Sequence, residues 1–282
     1  MEEKIYNLGD KNIKICLLTD LHFSISYDYD VLNKILENVK INKPDFICLS
    51  GDIIDSSNVL YSNSIDILKE FIKNLAKISQ VIISLGNHEI SNFKNNGLNK
   101  EKKPANIFDV INWFMELNKI ENVYFLNNKN LVRGDICFIG YNPDYEYYKK
   151  EDNKLFIKDL DSKIQMNKKY FNILLCHSPI NVFSPLTLKY SKEIKKANLI
   201  LSGHMHNGMI LRCFDFGGNW GLISPLKKPL PKYARNKATK KIDNKEVNLI
   251  ISGGIIKFSS VNSKIIQKLN CLFKPSIVYI NI

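Results

Sequence analysis

An α/β layered fold follows from three features of this 282-residue chain. Short apolar runs alternate with stretches whose apolar residues recur at helical spacing, and the first of these alternations reads as a βαβ unit. Several of the runs open directly onto Gly, Asp, Asn or His, as buried strands do where they deliver polar groups at their C-terminal ends. A single domain spanning residues 1–282 is expected, because layered α/β chains of this size often form one unit.

Residues 13–19 (IKICLLT) are short, apolar and bounded by polar residues, which predicts a buried strand ending at Asp20. Val31, Leu32, Ile35, Leu36 and Val39 then mark a helix, and Pro44 stops it before a second strand at residues 46–49 that runs into Gly51 and Asp52. Ile65, Leu68, Ile72 and Leu75 mark another helix, followed by a strand at 81–85 that ends at Gly86 and Asn87. The Lys- and Asn-rich residues 91–103 contain Gly97 and read as an exposed loop, with a helix after it at Ile107, Ile111, Phe114 and Met115. VYFLN from Val123 and the run DICFIGY predict antiparallel strands. The aromatic residues 141–148 read as a packed surface loop or, alternatively, a cleft wall. Residues 173–176 and 199–201 are two further buried strands, the first ending at His177 and the second at Ser202 and Gly203. Residues 209–216, 249–252, 255–258 and 277–280 are the remaining strand candidates, and residues 226–245 form a basic loop.

Composition narrows the function classes. The opening residues MEEKIYNLGD lack the basic start and apolar centre of a secretory signal, and no apolar run is long enough to span a bilayer, so a soluble, cytoplasmic protein is expected. Cys16, Cys48, Cys137, Cys176, Cys213 and Cys271 are scattered without a CxxC pair, which favours reduced core thiols over zinc or redox work. The net charge is +12, but its lysines are spread along the chain amid Asn and Ile. Composition bias explains this better than a nucleic-acid surface, and the positive field still suits an anionic substrate.

Five segments place metal-capable side chains just after apolar runs: TDLH, GDIID, GNHE, CHSP and GHMH. One histidine alone is more often structural than a ligand. Here the chain has five, and every one falls inside these segments: His22 with Asp20, His88 with Asn87, and His177, His204 and His206 in the last two. Carboxylates, an amide oxygen and imidazoles together suit a pair of borderline divalent ions such as Mn, Fe or Zn, whereas an all-oxygen cage would suit Ca or Mg. Asp55, three residues after Asp52, reads by residue type alone as a helix N-cap. Glu89 receives no role, and Cys176 is expected to face away from the cluster because successive strand residues alternate.

Taken in order from Asp20 to His206, these segments resemble the signature of the calcineurin-like metallophosphoesterase superfamily: DxH, GDxxD, GNHE, a solitary His and GHxH. The resemblance implies two mixed β-sheets packed as a sandwich and flanked by helices. It also implies that Asp20, His22 and His206 bind one metal, that Asn87, His177 and His204 bind a second, and that Asp52 bridges them. Such a pair, roughly 3.5–4 Å apart, lowers the pKa of a bridging water to give hydroxide for in-line attack at phosphorus. His88 then stays off the metals to protonate the leaving oxygen, and Asp55 hydrogen-bonds His88.

The whole chain is most similar to a bacterial phosphodiesterase-like branch in which GHxH is followed by a basic LPKYARN-like loop; here Asn207, Gly208 and Met209 stand where that branch commonly has GGQ. Lys232, Tyr233 and Arg235 in the loop are candidates to contact a small phosphate-ester substrate. A peripheral membrane contact is compatible with this reading. The rival readings are a metal-dependent nuclease, which calls for a continuous basic groove, and a noncatalytic interaction scaffold, which would be expected to have lost ligands that this chain retains.

Overall fold

A computed structural model describes residues 1–24, 27–96, 99–104, 106–209, 218–222, 224, 229–255 and 275–282. The chain opens with β1 (Glu2–Asn7) and β2 (Lys14–Leu18), then α1 (Tyr29–Asn42), β3 (Phe46–Ser50), α2 (Ile65–Ala76) and β4 (Gln80–Ser84). A single turn, α3 (Asn87–Ile90), precedes the ribbon β5 (Ser91–Asn96) and β6 (Asn99–Pro104), then α4 (Ile107–Leu117), β7 (Val123–Phe125), β8 (Asn130–Arg133) and β9 (Ile136–Tyr141). The second half holds α5 (Tyr145–Lys150), α6 (Asn153–Lys163), β10 (Phe171–Cys176), α7 (Pro185–Tyr190), β11 (Leu199–Ser202), β12 (Asn236–Ile242), β13 (Lys245–Ile251) and β14 (Ser276–Asn281).

Two six-stranded mixed sheets result, ordered β1-β14-β2-β3-β4-β7 and β12-β13-β11-β10-β9-β8. In the first, β2, β3, β4 and β7 are parallel neighbours and β14 lies antiparallel to β2. In the second, β9, β10, β11 and β13 run parallel, with β8 and β12 antiparallel at the edges.

The alternation of strand side chains sorts the core into layers. Ile15 and Leu17 of β2 meet Ile173 and Leu175 of β10 between the sheets. Cys16 and Leu18 turn outward onto Ile35 of α1 and Ile72 of α2. Leu174 and Cys176 turn the other way, onto Phe156 and Leu160 of α6. A strand covered on both faces needs apolar side chains at every position, which is why β2, β3, β10 and β11 read as unbroken runs. The sandwich flanked by helices is therefore the observed architecture.

Several expectations are corrected. Residues 91–103 lie in the antiparallel ribbon β5-β6 rather than a loop, a two-stranded sheet separate from the two larger ones among the described residues. VYF is not antiparallel: β7 joins β4 in parallel in the first sheet, while β9 pairs antiparallel with β8 in the second. Residues 141–148 are not a surface loop, since α5 buries Tyr147 and Tyr148 against the second sheet. The basic loop contains β12, which pairs with β13 along its length. Strand candidates 209–216 and 255–258, part of the basic loop, and Cys213 and Cys271 lie largely or wholly outside the described residues. The four cysteines within them are buried and unpaired. Among the described residues no helix is long and apolar enough to cross a membrane.

Candidate metal centre

The segments after β2, β3, β4, β10 and β11 meet at the C-terminal ends of their strands, drawing on both sheets. After β2, β3 and β11 the chain turns sharply, and the backbone shows it: Asp20, His22, Asp52, His204 and His206 all have positive φ, between 45° and 69°. Such conformations cost on the order of 1–3 kcal/mol each in a residue with a Cβ and persist only where neighbours hold them. The neighbours are visible. The Asp20 amide donates to the Gly51 carbonyl (3.1 Å) and the His22 amide to the Asp52 carbonyl (2.8 Å). The His204 amide donates to the Asp20 carboxylate at 2.9 Å, and the His88 amide to Asp52 Oδ1 at 2.8 Å. The chain passes so close to the carboxylates that only glycine fits beside them: a Cβ on Gly86 would stand 2.3 Å from Asp52 Oδ1, and one on Gly203 2.3 Å from Asp20 Oδ2.

Among the described residues three overlapping groups could each hold a cation: Asp20, His22 and His206; His22, Asp52 and His88; and Asp52, His177 and His204. Asp52 Oδ2 lies 3.0 Å from His177 Nε2 and 3.7 Å from His22 Nε2. His177 Nε2, His22 Nε2 and Asn87 Oδ1 are buried without a hydrogen-bond partner. Leaving such atoms unsatisfied costs about 1–3 kcal/mol apiece, so these residues fit a metal, which takes those lone pairs. His177 is oriented for it, because its Nδ1–H donates to the Ser50 carbonyl at 2.8 Å and leaves Nε2 as the ligand atom.

Electrostatics favours positive charge here. Burial pushes the His177 imidazole down, but Asp52 and Asp20 outweigh it and bring the group up to about 9. Burial likewise works against the Asp52 charge, yet the neighbouring histidines, His177 foremost, hold it well below the usual carboxylate range. His206 is pushed down to about 4 by burial, with His22 adding to the effect against Asp20, so its ring is neutral and able to ligate.

Residues 13–208 match the model of the calcineurin-like phosphoesterase family. The chain belongs to that family. It is 29% identical over 201 residues to an uncharacterized metallophosphoesterase of Campylobacter jejuni, which covers 71% of this chain and 46% of that protein. It is 30% identical over 209 residues to a putative metallophosphoesterase of Caenorhabditis elegans, covering 73% and 39%. The chain thus spans less than half the length of these curated relatives. A dimetal phosphatase from Danio rerio aligns over 87% of this chain and 88% of its own with a TM-score of 0.41 and 11% identity, a likeness too slight to carry an argument.

Within this calcineurin-like phosphoesterase, His88 and Asp55 are neighbours, but the contact differs from the expected one. His88 Nδ1 bonds the Asp55 backbone carbonyl at 2.7 Å, while the Asp55 carboxylate sits 3.6 Å from both His88 Nδ1 and His22 Nδ1. Burial pushes His88 down to about 4, against the pull of Asp52. Glu89, to which sequence reasoning gave no role, is fully buried and accepts hydrogen bonds from four backbone amides: Asp52 (3.0 Å), Ile53 (2.6 Å), Ile54 (2.9 Å) and Gly86 (2.6 Å). Burial, aided by the Asp52 charge, pushes its carboxyl up to about 7 against those donors. Glu151 was missed altogether; it reaches His204 from the end of α5.

The three candidate substrate residues separate. Lys232 and Tyr233 line a cavity of about 580 Å³ that Phe183, Leu188 and Glu151 also border, whereas Arg235 is buried at 2% exposed.

Proposed function

We propose that the chain is a dinuclear-metal-dependent phosphoesterase hydrolysing a small phosphate ester, a diester in preference to a monoester. The observation that carries the reading is Asp52 Oδ2, one carboxylate oxygen standing between His22 of one ligand group and His177 of the other. Asp20, His22 and His206 would hold the first cation, Asn87, His177 and His204 the second, and Asp52 would bridge them. The mixed imidazole and carboxylate donors suit Mn, Fe or Zn. When bound, the pair supplies Lewis acidity toward phosphoryl oxygens and lowers the pKa of water.

The chain's own residues supply the rest. The Asp55 carbonyl fixes the His88 ring through Nδ1, which leaves Nε2 as the nitrogen that hands a proton to the leaving oxygen. An entering phosphate anion favours the charged imidazole that this transfer needs. Glu89 holds the Asp52 turn in place, and the net positive charge attracts the anionic ester. The diester preference is supported by the resemblance of the LPKYARN segment to the phosphodiesterase-like branch.

The test is turnover of bis(p-nitrophenyl) phosphate against p-nitrophenyl phosphate by protein loaded with Mn and assayed for bound metal. Faster hydrolysis of the diester is expected; metal-loaded protein that turns over neither ester overturns the reading in favour of a noncatalytic scaffold. His88→Ala should keep its metals and lose about 10²- to 10⁴-fold in kcat, whereas Asp52→Asn should weaken metal binding itself.

A further inference from the structure

The histidines of the second ligand group are anchored in opposite senses. His177 donates from Nδ1 to a neutral carbonyl, that of Ser50. His204 instead turns Nε2 toward a carboxylate, 3.3 Å from Glu151 Oε1. Both side chains are almost wholly enclosed, at 4% exposed for His204 and 1% for Glu151. Burying a carboxylate is costly without a partner that justifies it. The backbone is bent to present it: Glu151 caps α5 in the left-handed conformation (φ 47°, ψ 41°), its amide bonds the Tyr147 carbonyl at 2.6 Å, and Asn181 Nδ2 donates to its carbonyl at 3.0 Å. Its second oxygen, Oε2, has no hydrogen-bond partner among the described residues, so His204 is the polar contact that its carboxylate makes there.

We propose that Glu151 is a positioning residue that fixes His204 in its Nε2–H tautomer and thereby commits Nδ1 as the atom that ligates the second cation. A ring nitrogen that donates a proton to Glu151 has no lone pair for a metal, so ligation passes to the other nitrogen. A carboxylate acceptor also polarises the N–H it accepts more than a carbonyl does, so Glu151 acts on the cation site that holds His204 through that one ring. Hydrogen-bonded carboxylates behind ligating histidines typically account for about 10- to 100-fold in metal affinity. The proposal rests on the two-cation reading above.

Metal-depleted wild type and Glu151→Gln are titrated with Co²⁺, followed by calorimetry and by the visible spectrum. Two binding steps in wild type uphold the two-cation reading; their absence overturns that reading and, with it, this proposal. Given two steps, Glu151→Gln is expected to weaken one by about 10- to 100-fold, to shift the visible band of that site, and to leave the other step and the melting temperature of the metal-free protein unchanged. Two unaltered steps, or equal loss in both together with a fall in metal-free melting temperature, overturn the positioning role. A measurement needing no variant decides the tautomer: ¹⁵N–¹H correlation of the imidazoles in zinc-loaded wild type should show His204 protonated at Nε2, and protonation at Nδ1 refutes the assignment.

Discussion

The amides of Asp52, Ile53 and Ile54 point at one buried carboxylate together with that of Gly86, so the turn that aims Asp52 is fastened to the loop that carries Asn87 and His88. Glu89→Gln keeps the size of the side chain but replaces one oxygen with an NH₂ that faces amide donors. At least one backbone N–H is then left buried without an acceptor, at about 1–3 kcal/mol for each such group. A lower urea midpoint, corresponding to a loss of about 2–4 kcal/mol, is expected, together with weaker metal binding; an unchanged midpoint and affinity would show that the four bonds are redundant. Nothing in the letters GNHE announces this role, because three of the four amides it serves lie 35 to 37 residues away. The ligand residues were legible for the opposite reason: histidines and carboxylates directly after apolar runs advertise both their chemistry and their place on a strand end. Glu151 lacked such a signal, sitting after YEYYKK in a segment whose aromatic character pointed to packing alone.

Elements were readable in proportion to how many of their faces are buried. Helix α1 places Leu32, Ile35 and Val39 on one buried stripe against the first sheet, and Asp28 caps its start by accepting the Asp30 amide at 3.1 Å. Ile35 is the wholly buried centre of that stripe and contributes no ligand. Ile35→Ala should therefore cost about 2–5 kcal/mol by denaturant unfolding while the folded protein still takes up its full complement of metal; a loss of metal at constant fold would mean that α1 supports the site directly. Edge elements escaped the reading. Strand β1 (EEKIYN) is exposed or half-exposed at every position, and β12 (NKATKKI) buries only Ala238 and Ile242, so neither shows the apolar run of a central strand. The parallel pairing of β7 with β4 was hidden because pairing direction depends on where the chain crosses between sheets, which periodicity does not record.

At the scale of the molecule, the candidate metal centre is also a fastening between sheets. Asp20, His22, Asp52 and Asn87 follow strands of one sheet and His177, His204 and His206 follow strands of the other, with Ser50 Oγ donating to the Leu201 carbonyl (3.0 Å) beneath them. No such set of donors exists in the unfolded chain, so cations that bind the native arrangement stabilise it by mass action, about 2.7 kcal/mol at a free concentration 100 times the dissociation constant and about 4.1 at 1,000 times. For domains of 150–250 residues each kcal/mol shifts the melting temperature by about 2–4 °C, and this chain is slightly longer. Calorimetric scans of chelator-treated protein should accordingly melt about 5–15 °C below the metal-saturated form, and the melting temperature should climb with the logarithm of added Mn²⁺. Asp52→Asn should flatten that climb, because the amide lacks the charge that draws both ligand groups to a cation, and it should melt close to the chelated wild type. A melting temperature indifferent to Mn²⁺ in protein shown to contain the metal would mean that the cations sit on a site already complete without them, and the fastening role would be wrong.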